Sequence, residues 1–439
     1  MPGAIVVAEI LFALLCVYTD YNKPVKEISF ITVYSAFTLV YCYGNYMVVS
    51  SIGTPDELLY DYYLINDNIG EALFFTYVSN VFCVLGFHYY MLYIKKTIGP
   101  FYPLKMNLSF KWVNYLNYAL IIVNVLILAG TLPYIILFPS LIAVLFFLTR
   151  YAISKDDQKI LNYCIANTFI LSINGMLFDY LRMAIIAPCI ALLVAVFFGK
   201  ENISVFFKRS LFPVYGFLVA ILIVFSFLGQ IRTRMSGYEK INSVITELNR
   251  SILEDDEKPT IASDTEEEEE RFEARVSNVN QTSQIVRLVK EDGFYHGETM
   301  AYLSYAFIPR FIWKEKPIIA QGVWFALRIG QAYVQEGVGA NNSINMTSAG
   351  ELYLNFGLLG VVIGMFFIGA LCAYMWQISG FAGNPSNLLG GMFGLYLFFL
   401  ATSTFGIDLQ FLVTLVSYFC IFQFVNFAYI YFSNKEVSK

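Results

Sequence analysis

Residues 293–317 read GFYHGETMAYLSYAFIPRFIWKEKP, and residues 347–369 read TSAGELYLNFGLLGVVIGMFFIG. Both strings lie in or directly after Gln230–Glu351, the long polar stretch that interrupts an otherwise apolar sequence. The first string places a Pro-Arg pair and a Lys-Glu-Lys-Pro cluster among aromatic residues, and the second places Glu351 at the start of a long uncharged segment. Cations, a carboxylate and aromatic surfaces therefore meet where a polar loop joins apolar helices.

The composition is typical of a helical membrane protein. Of 439 residues, 58% are hydrophobic and 14% are charged, whereas about a quarter of the residues in a soluble domain are charged. Because a helix of about 20 apolar residues crosses a bilayer, we expect an all-α polytopic membrane protein with about 11 transmembrane helices. The predicted segments are 4–19, 28–50, 72–94, 113–131, 133–149, 159–177, 181–199, 211–229, 352–376, 388–405 and 409–432.

The distribution of Lys and Arg predicts the orientation, because these residues collect in short cytoplasmic loops. If every segment spans the membrane, the short loops on one side hold Arg182 alone. Those on the other side hold Lys23, Lys26, Lys95, Lys96, Lys105, Lys111, Arg150, Lys155, Lys159, Lys200, Lys208, Arg209, Lys435 and Lys439. We therefore expect the N-terminus outside, the C-terminus in the cytoplasm, and Gln230–Glu351 outside the cytoplasm.

This topology divides the chain into three parts. Residues 1–229 are predicted to form a bundle of about eight helices, residues 230–351 a large extracytoplasmic loop, and residues 352–439 about three further helices. Within the loop, apolar residues at helical spacing predict amphipathic helices at 271–290 and around 319–334. The acidic run 254–270 is typical of a solvated, mobile insert.

Arg310 and two neighbouring lysines are the first candidates for a phosphate site. Arg310 presents a planar fork of donors that suits phosphate, and Lys314 and Lys316 add two positive charges within six residues. A diphosphate at the membrane surface is the natural ligand of such a group. The alternative is a basic patch on lipid headgroups, which is usually cytoplasmic, whereas this patch is predicted to lie outside.

Three further arginines lie near predicted membrane boundaries on the outer side. Arg182 lies between two apolar segments, where an Arg is costly and functional by default; an ion pair with Asp179, three residues earlier, is a compatible alternative. Arg232 and Arg234 follow segment 211–229. They are candidates for diphosphate binding, and the alternative is that they extend from a helix end to the interface.

Catalytic and sugar-binding candidates come from the same strings. His296 is a candidate general base, because an imidazole ring can take up and release a proton. Glu351 is the second catalytic candidate beside Arg310, although a carboxylate at a helix start is also favoured by the helix dipole alone. Candidate sugar contacts are Trp313, Asn341, Asn342 and Asn355. Glycines of the second string are expected to allow close helix packing rather than chemistry: Gly357, Gly360, Gly364 and Gly369.

The two strings, in this order and spacing, resemble those of the oligosaccharide repeat-unit polymerases, the O-antigen and exopolysaccharide polymerase family. A weaker match is LFDYLRMAIIAPCIALLVA, where the family has an Arg opening a membrane helix. The resemblance covers roughly a fifth of the chain. The chain departs from the family between segments ten and eleven, where many members have an Arg and this sequence offers Asp408.

The resemblance implies a fold related to the C-type glycosyltransferases, in the bacterial cytoplasmic membrane, with no metal and no other cofactor. It implies that Arg182 and Arg310 hold a diphosphate, that Lys316 and Pro317 close the motif, and that Glu351 matches the family's carboxylate. The expected reaction transfers a growing glycan from undecaprenyl diphosphate to a sugar hydroxyl of the next lipid-linked repeat. Expected partners are this lipid-linked oligosaccharide, the bilayer and a chain-length regulator protein, and not nucleic acid.

Three other functions compete with polymerisation. A lipid-linked oligosaccharide flippase would not need so long an outer loop, and an O-antigen ligase shares the mechanism and differs in its acceptor. A metal-dependent C-type transferase would need acidic ligands in an early outer loop, and loop 51–71 offers Asp56, Glu57, Asp61 and Asp67. Depletion of Lys and Arg from outer loops accounts for these carboxylates without a metal.

Overall fold

The computed structural model describes part of the chain: residues 2–21, 30–39, 66–95, 104, 106–107, 109–132, 134–178, 188, 191–192, 195, 278–306, 308, 313–317, 320–330, 334–335, 339–340, 344, 346–380, 387–403 and 410–437. Predicted segment 211–229, most of segment 181–199 and the acidic run 254–270 lie outside these residues. The described chain is almost entirely helical, with one small antiparallel hairpin.

The helices are α1 (Pro2–Tyr21), α2 (Phe30–Thr38), α3 (Asn66–Tyr89), α4 (Phe110–Leu128), α5 (Tyr134–Lys155), α6 (Gln158–Phe178), α7 (Asn278–Asp292), α8 (Gln321–Arg328), α9 (Ser348–Ser379), α10 (Leu388–Ser403) and α11 (Gln410–Val437). A π-helical turn, Tyr90–Ile94, continues α3, and a 3₁₀ helix occupies Glu298–Ser304. The strands β1 (Val334–Gln335) and β2 (Gly339–Ala340) pair with Val334 opposite Ala340.

Three of the described helices are long and apolar enough to cross a membrane: Asn68–Ile94, Phe110–Leu128 and Ser348–Ser379. Large apolar side chains point away from the protein on these helices; Leu359 and Phe367 of α9 are 68% and 67% exposed. Exposed apolar faces of this kind mark surfaces that lipid or a partner covers. The pattern fits an α-helical membrane protein, whereas eleven spans stay a prediction.

The boundary between α4 and α5 has a clear local cause. Gly130 adopts φ 73°, its N–H donates to the Ile127 carbonyl, and the N–H of Thr131 donates to the Leu126 carbonyl. This pair of hydrogen bonds is the Schellman arrangement that ends helices at a glycine. The sequence GTLP thus separates two helices in what is otherwise one apolar run.

The described residues fall into two compact units by their contacts. One unit contains α4, α5, α6 and the first half of α10, around a core that includes Leu145, Leu148, Cys164 and Leu171. A buried amide pair joins α4 to α6: Asn124 Nδ2 donates to Asn167 Oδ1 at 2.9 Å. Hydrogen bonds between helices hold them together in an apolar environment that offers few other partners.

The other unit contains α1, α2, α3, α7, α8, most of α9 and α11. Its helices α3 and α9 cross at close range, because a Cβ on Gly86 would overlap the Phe366 carbonyl and a Cβ on Gly369 would overlap the Cys83 carbonyl. Two glycines facing each other's helix allow the backbones to touch. The prediction that Gly369 serves helix packing is confirmed.

Candidate functional site

Helix α9 is broken at Gly357, whose φ of 64° and ψ of −157° are non-helical. This backbone region is open essentially to glycine alone. A Cβ at Gly357 would also lie 2.9 Å from the Phe294 ring. The break divides α9 into a short half, 348–356, and a long half, 358–379, which by helical rise is about 33 Å long and matches the hydrocarbon core.

The short half of α9 folds back against the long half. A Cβ on Gly360 would lie 2.8 Å from the Leu352 carbonyl oxygen, and one on Gly364 would lie 2.6 Å from Leu352 Cδ1. In a straight helix, Leu352 would be about 12 Å from Gly360 and about 18 Å from Gly364 along the axis. The second sequence string therefore forms a helical hairpin, and the prediction that Gly360 and Gly364 allow close packing is confirmed.

The loop 293–297 binds the carbonyl groups at this break. The N–H groups of Tyr295 and His296 donate to the carbonyls of Leu354 and Asn355, both at 3.1 Å. A regular helix would pair these carbonyls with residues 358 and 359, and the non-helical Gly357 lies between. Backbone donors of loop 293–297 thus satisfy acceptors of the interrupted helix.

Asn355 forms a clasp between the loop and the short half-helix. Its Oδ1 accepts from the N–H of Gly297 at 2.8 Å, and its Nδ2 donates to Thr299 Oγ1 at 2.7 Å and to the Glu351 carbonyl at 2.8 Å. The side chain is fully buried. Asn355 therefore ties the two sequence strings together, and its contact with sugar stays a prediction.

Glu351 lies one helical turn before Asn355 in the short half of α9. It is in the first turn of α9, where Thr347 Oγ1 accepts from the N–H of Gly350, and its side chain is 0% exposed. Tyr302 of the 3₁₀ helix, also buried, donates its hydroxyl proton to Glu351 Oε2 at 3.1 Å. The helix dipole and the hydrogen bond from Tyr302 favour a negative charge on Glu351, whereas the burial of the side chain disfavours one.

A second polar network joins the loop helix α7 to α3 next to this carboxylate. Lys290 Nζ lies 3.0 Å from Glu71 Oε2 and donates to Asn68 Oδ1 at 2.6 Å. The Tyr353 hydroxyl donates to Glu71 Oε1, and its ring stacks on Phe75 with centroids 4.6 Å apart. This network fixes the position of Tyr353, two residues after Glu351.

Asp292 links the end of α7 to α8. Arg328 Nη2 lies 2.6 Å from Asp292 Oδ2, which also accepts from the Tyr295 hydroxyl at 2.8 Å. The ring of Tyr295 meets that of Trp324 edge-on at 5.4 Å. Hydrogen bonding from Arg328 and then Tyr295 holds the pKa of Asp292 below its ordinary value. The Asp292 carboxylate in turn raises the pKa of Arg328.

We expect Asp292→Asn to lower the thermal stability of the protein in a pH-dependent way. A carboxyl group with a lowered folded-state pKa stabilises the protein above its ordinary pKa of about 3.9 and loses that contribution as the pH falls through the lowered value. The melting temperatures of the wild type and Asp292→Asn, measured from pH 7 to pH 2, should therefore differ by a constant amount down to about pH 4 and converge below it.

Arg328→Met is the matched variant for this test, since it should show the same convergence, and the double variant should lose little more than either single one. A difference that persists unchanged at the most acidic pH would contradict the role assigned to Asp292.

The motif around Arg310 is closed by Lys316. Its Nζ donates to the carbonyls of Ala306 at 2.6 Å and Ile308 at 3.0 Å. Trp313 is 39% exposed and meets Tyr305 edge-on at 5.9 Å, and Lys314 is exposed. Lys316 thus ties the chain at residue 316 to the carbonyls of residues 306 and 308. Diphosphate binding by Lys314 and Lys316 and sugar binding by Trp313 stay predictions.

His296 is exposed and has a left-handed backbone, with φ 49°. Such a conformation is uncommon outside glycine and costs some strain. Together with Gly297 at φ 98°, it makes the tight turn that brings the loop onto Asn355. The structure gives His296 a backbone role, and a role as general base stays a prediction.

Several predicted site residues lie outside the described residues, and the structure does not bear on them. They are Arg182, Arg232, Arg234, Arg310, Asn341 and Asn342, together with Asp179 and Asp408. Among the residues that are described, no group of three or more His, Cys, Asp or Glu side chains has the arrangement of a metal site.

Comparison with protein-family models, curated proteins and solved structures found no match to this chain. The likeness to repeat-unit polymerases therefore rests on the two sequence strings.

Sequence reasoning missed several polar residues that the fold brings to functional positions. Tyr302, Thr299 and Tyr353 carry no sequence signal, because only the fold brings them to Glu351, Asn355 and Glu71, respectively. Glu9 does carry one: it is the only charged residue in predicted segment 4–19. An ionisable residue inside an apolar segment marks a functional site by default.

Proposed function

We propose that this chain is a membrane glycosyltransferase that polymerises oligosaccharide repeat units carried on undecaprenyl diphosphate. In this proposal it has about 11 spans and a fold related to the C-type glycosyltransferases. It resides in the bacterial cytoplasmic membrane with its N-terminus outside and its C-terminus inside, and its active site faces the extracytoplasmic side.

The observation that carries the proposal is the clasp between the two sequence strings. Asn355 and the N–H groups of the loop hold the first string onto the short half of α9, and Tyr302 of that string contacts Glu351. The first string, whose sequence contains Arg310, and the half-helix that carries Glu351 thereby belong to one compact unit, and this half-helix packs against the membrane-length half of α9.

The reaction needs one group to remove a proton and another to stabilise a leaving group. In the proposal, Glu351 accepts the proton of the acceptor hydroxyl as the glycosidic bond forms. Arg310 and Lys314 stabilise the negative charge that develops on the departing undecaprenyl diphosphate. The acceptor loses its proton to Glu351, and the bond between sugar and diphosphate breaks with its electron pair on the diphosphate.

The burial of Glu351 sets a condition on this mechanism. With 0% of the side chain exposed and Tyr302 covering it, an acceptor hydroxyl reaches the carboxylate only after the 3₁₀ helix moves. The proposal therefore includes opening of Glu298–Ser304 when substrate binds. Such closing segments commonly exclude water from transferase sites.

The glycan ladder of a deletion strain tests the proposal. A polymerase deletion should leave surface lipid that carries a single repeat unit. Loss of all surface glycan with lipid-linked repeats retained inside would indicate a flippase, and long polymer that stays on its lipid carrier would indicate a ligase. Purified protein with lipid-linked repeats should make polymer in the presence of a chelator, and chelator-sensitive polymer would indicate the metal-dependent alternative.

We expect Arg310→Lys to reduce polymerisation by about a hundredfold, in the range seen when one preorganised donor is removed. Lys keeps the positive charge and loses the planar two-point contact with phosphate. Polymer formation by purified protein, at equal protein amounts, measures the effect.

Arg287→Lys is the matched control, because Arg287 on α7 pairs with Glu291 at 3.8 Å and lies outside both sequence strings. It should polymerise at the wild-type rate. Full activity of Arg310→Lys would show that a positive charge alone is sufficient at this position.

A further inference from the structure

A buried carboxyl group lies in the first helix, apart from the site described above. Glu9 of α1 is 0% exposed, whereas Val7 and Leu11 on the same helix are 55% and 62% exposed. The helix segment Gly3–Thr19 is apolar. Glu9 is therefore on the inward face of an apolar helix whose other face is covered by large aliphatic side chains.

The neighbours of Glu9 are neutral. Asn80 of α3 donates its Nδ2 to Glu9 Oε1, and Asn80 Oδ1 accepts from Ser35 Oγ of α2 at 3.0 Å. The Ser35 hydroxyl lies 3.6 Å from Cys16 Sγ, back on α1. Three helices thus converge on a chain of amide and hydroxyl groups that ends at the carboxyl group.

The second oxygen of Glu9 has no partner. Oε2 is buried and accepts no hydrogen bond from any residue that the structure describes. Among the residues that the structure describes, the other titratable side chains close to this chain of polar groups are Tyr34 beside Ser35, Tyr77 and Cys83 one turn on either side of Asn80, and Cys16. None of these can carry positive charge. His88 lies eight residues from Asn80, about 12 Å along α3.

A buried carboxylate without a counter-charge is strongly disfavoured, because nothing replaces the water that solvated it. No described residue supplies that counter-charge, and a cation bound at Oε2 would neutralise the carboxylate. We infer that Glu9, with Asn80, forms an intramembrane site for a monovalent cation, either a proton or a sodium ion. The site stands independently of the proposed glycosyl transfer, and it would make the contact between α1 and α3 depend on the cation.

Infrared difference spectroscopy of the full-length protein in lipid nanodiscs tests this inference. In choline chloride near neutral pH, the wild type should show the C=O stretching band of a protonated, buried carboxylic acid. Glu9→Gln should lack the band, whereas Glu315→Gln, which removes an exposed acid of the outer loop, should keep it. Asn80→Ala should shift the band, since the hydrogen bond to Oε1 is lost. This variant replaces Glu9→Gln in the test if Glu9→Gln does not fold.

Exchange of choline chloride for sodium chloride shows whether the site binds a proton or a sodium ion. If sodium binds, the band should disappear at constant pH and the melting temperature should rise in the wild type but not in Glu9→Gln. If the proton is the ligand, the band and the melting temperature should not respond to sodium. The inference is overturned if the wild type shows neither a carboxylic acid band between pH 5 and 8 nor a sodium-dependent melting temperature, or if Glu9→Gln and Asn80→Ala both retain the wild-type band.

Discussion

Glu351→Gln is expected to reduce polymerisation by about a hundredfold to ten-thousandfold, the usual contribution of a general base. Gln has nearly the same shape and can still accept the hydrogen bond from Tyr302, but it cannot take a proton from the acceptor hydroxyl. The variant should therefore stay folded in the membrane and lose the chemical step. Polymer formation by purified protein, normalised to folded protein, is the measurement.

Two further variants decide whether Glu351 acts chemically or only stabilises the helix start. A purely structural carboxylate would lose about 0.3–1 kcal/mol of dipole interaction in Glu351→Gln, with unchanged activity per folded molecule. Glu291→Gln, which removes an exposed acid of α7 outside both sequence strings, should leave polymerisation unchanged. Tyr302→Phe should cause a smaller loss than Glu351→Gln, because the phenol positions the carboxylate and does not itself accept a proton. Long polymer at the wild-type rate from Glu351→Gln would contradict the catalytic assignment.

Gly357→Ala is expected to destabilise the protein by about 2–6 kcal/mol, a large part of a typical folding free energy. Two costs add. The backbone conformation, φ 64° and ψ −157°, is strained for any residue with a Cβ, and the added methyl group would lie 2.9 Å from the Phe294 ring. Relief of either cost would displace the loop that holds Asn355, so activity should fall together with stability. Thermal unfolding in detergent measures the first effect and polymer formation the second.

Other glycines of the chain separate the two costs. Gly293 has φ 84° and no atom within 4 Å of an added Cβ, so Gly293→Ala carries the strain alone, about 1–2 kcal/mol. Gly70 lies in helix α3 with open space around it, so Gly70→Ala should be neutral or slightly stabilising. Phe294→Ala combined with Gly357→Ala should recover part of the lost stability, because the overlap with the ring is gone. A Gly357→Ala protein as stable as Gly70→Ala would show that the break in α9 is not obligatory.

The sequence was informative wherever the chemistry is local. Apolar runs located the long helices, because in an apolar solvent the backbone must pair with itself and helix length follows from bilayer thickness. The predicted division between segments 113–131 and 133–149 lies close to Gly130, which ends α4 because a glycine past the last helical residue is the usual stop. Glu351 and the cationic cluster stood out as charged residues among apolar ones. The glycines of residues 347–369 predicted close packing of helices, which Gly360, Gly364 and Gly369 provide.

The fold-back of α9 was not predictable in the same way. Residues 348–379 read as one uninterrupted apolar helix, and a glycine in such a run is as compatible with a straight helix as with a break. What fixes the break is the loop 60 residues earlier in the chain, whose N–H groups bind the carbonyls of Leu354 and Asn355 and whose Phe294 ring lies against Gly357.

By itself, then, the sequence determined the helices and the residue types available for chemistry, because hydrophobic length, charge and helix-ending glycines act over a few turns of the chain. Only the tertiary structure decided that Asn355 is a clasp, that Tyr302 covers Glu351, and that Glu9 meets Asn80 across 71 positions. These pairings join residues far apart in sequence, and the energy that selects them comes from satisfying buried polar groups in a medium that has no water to do so.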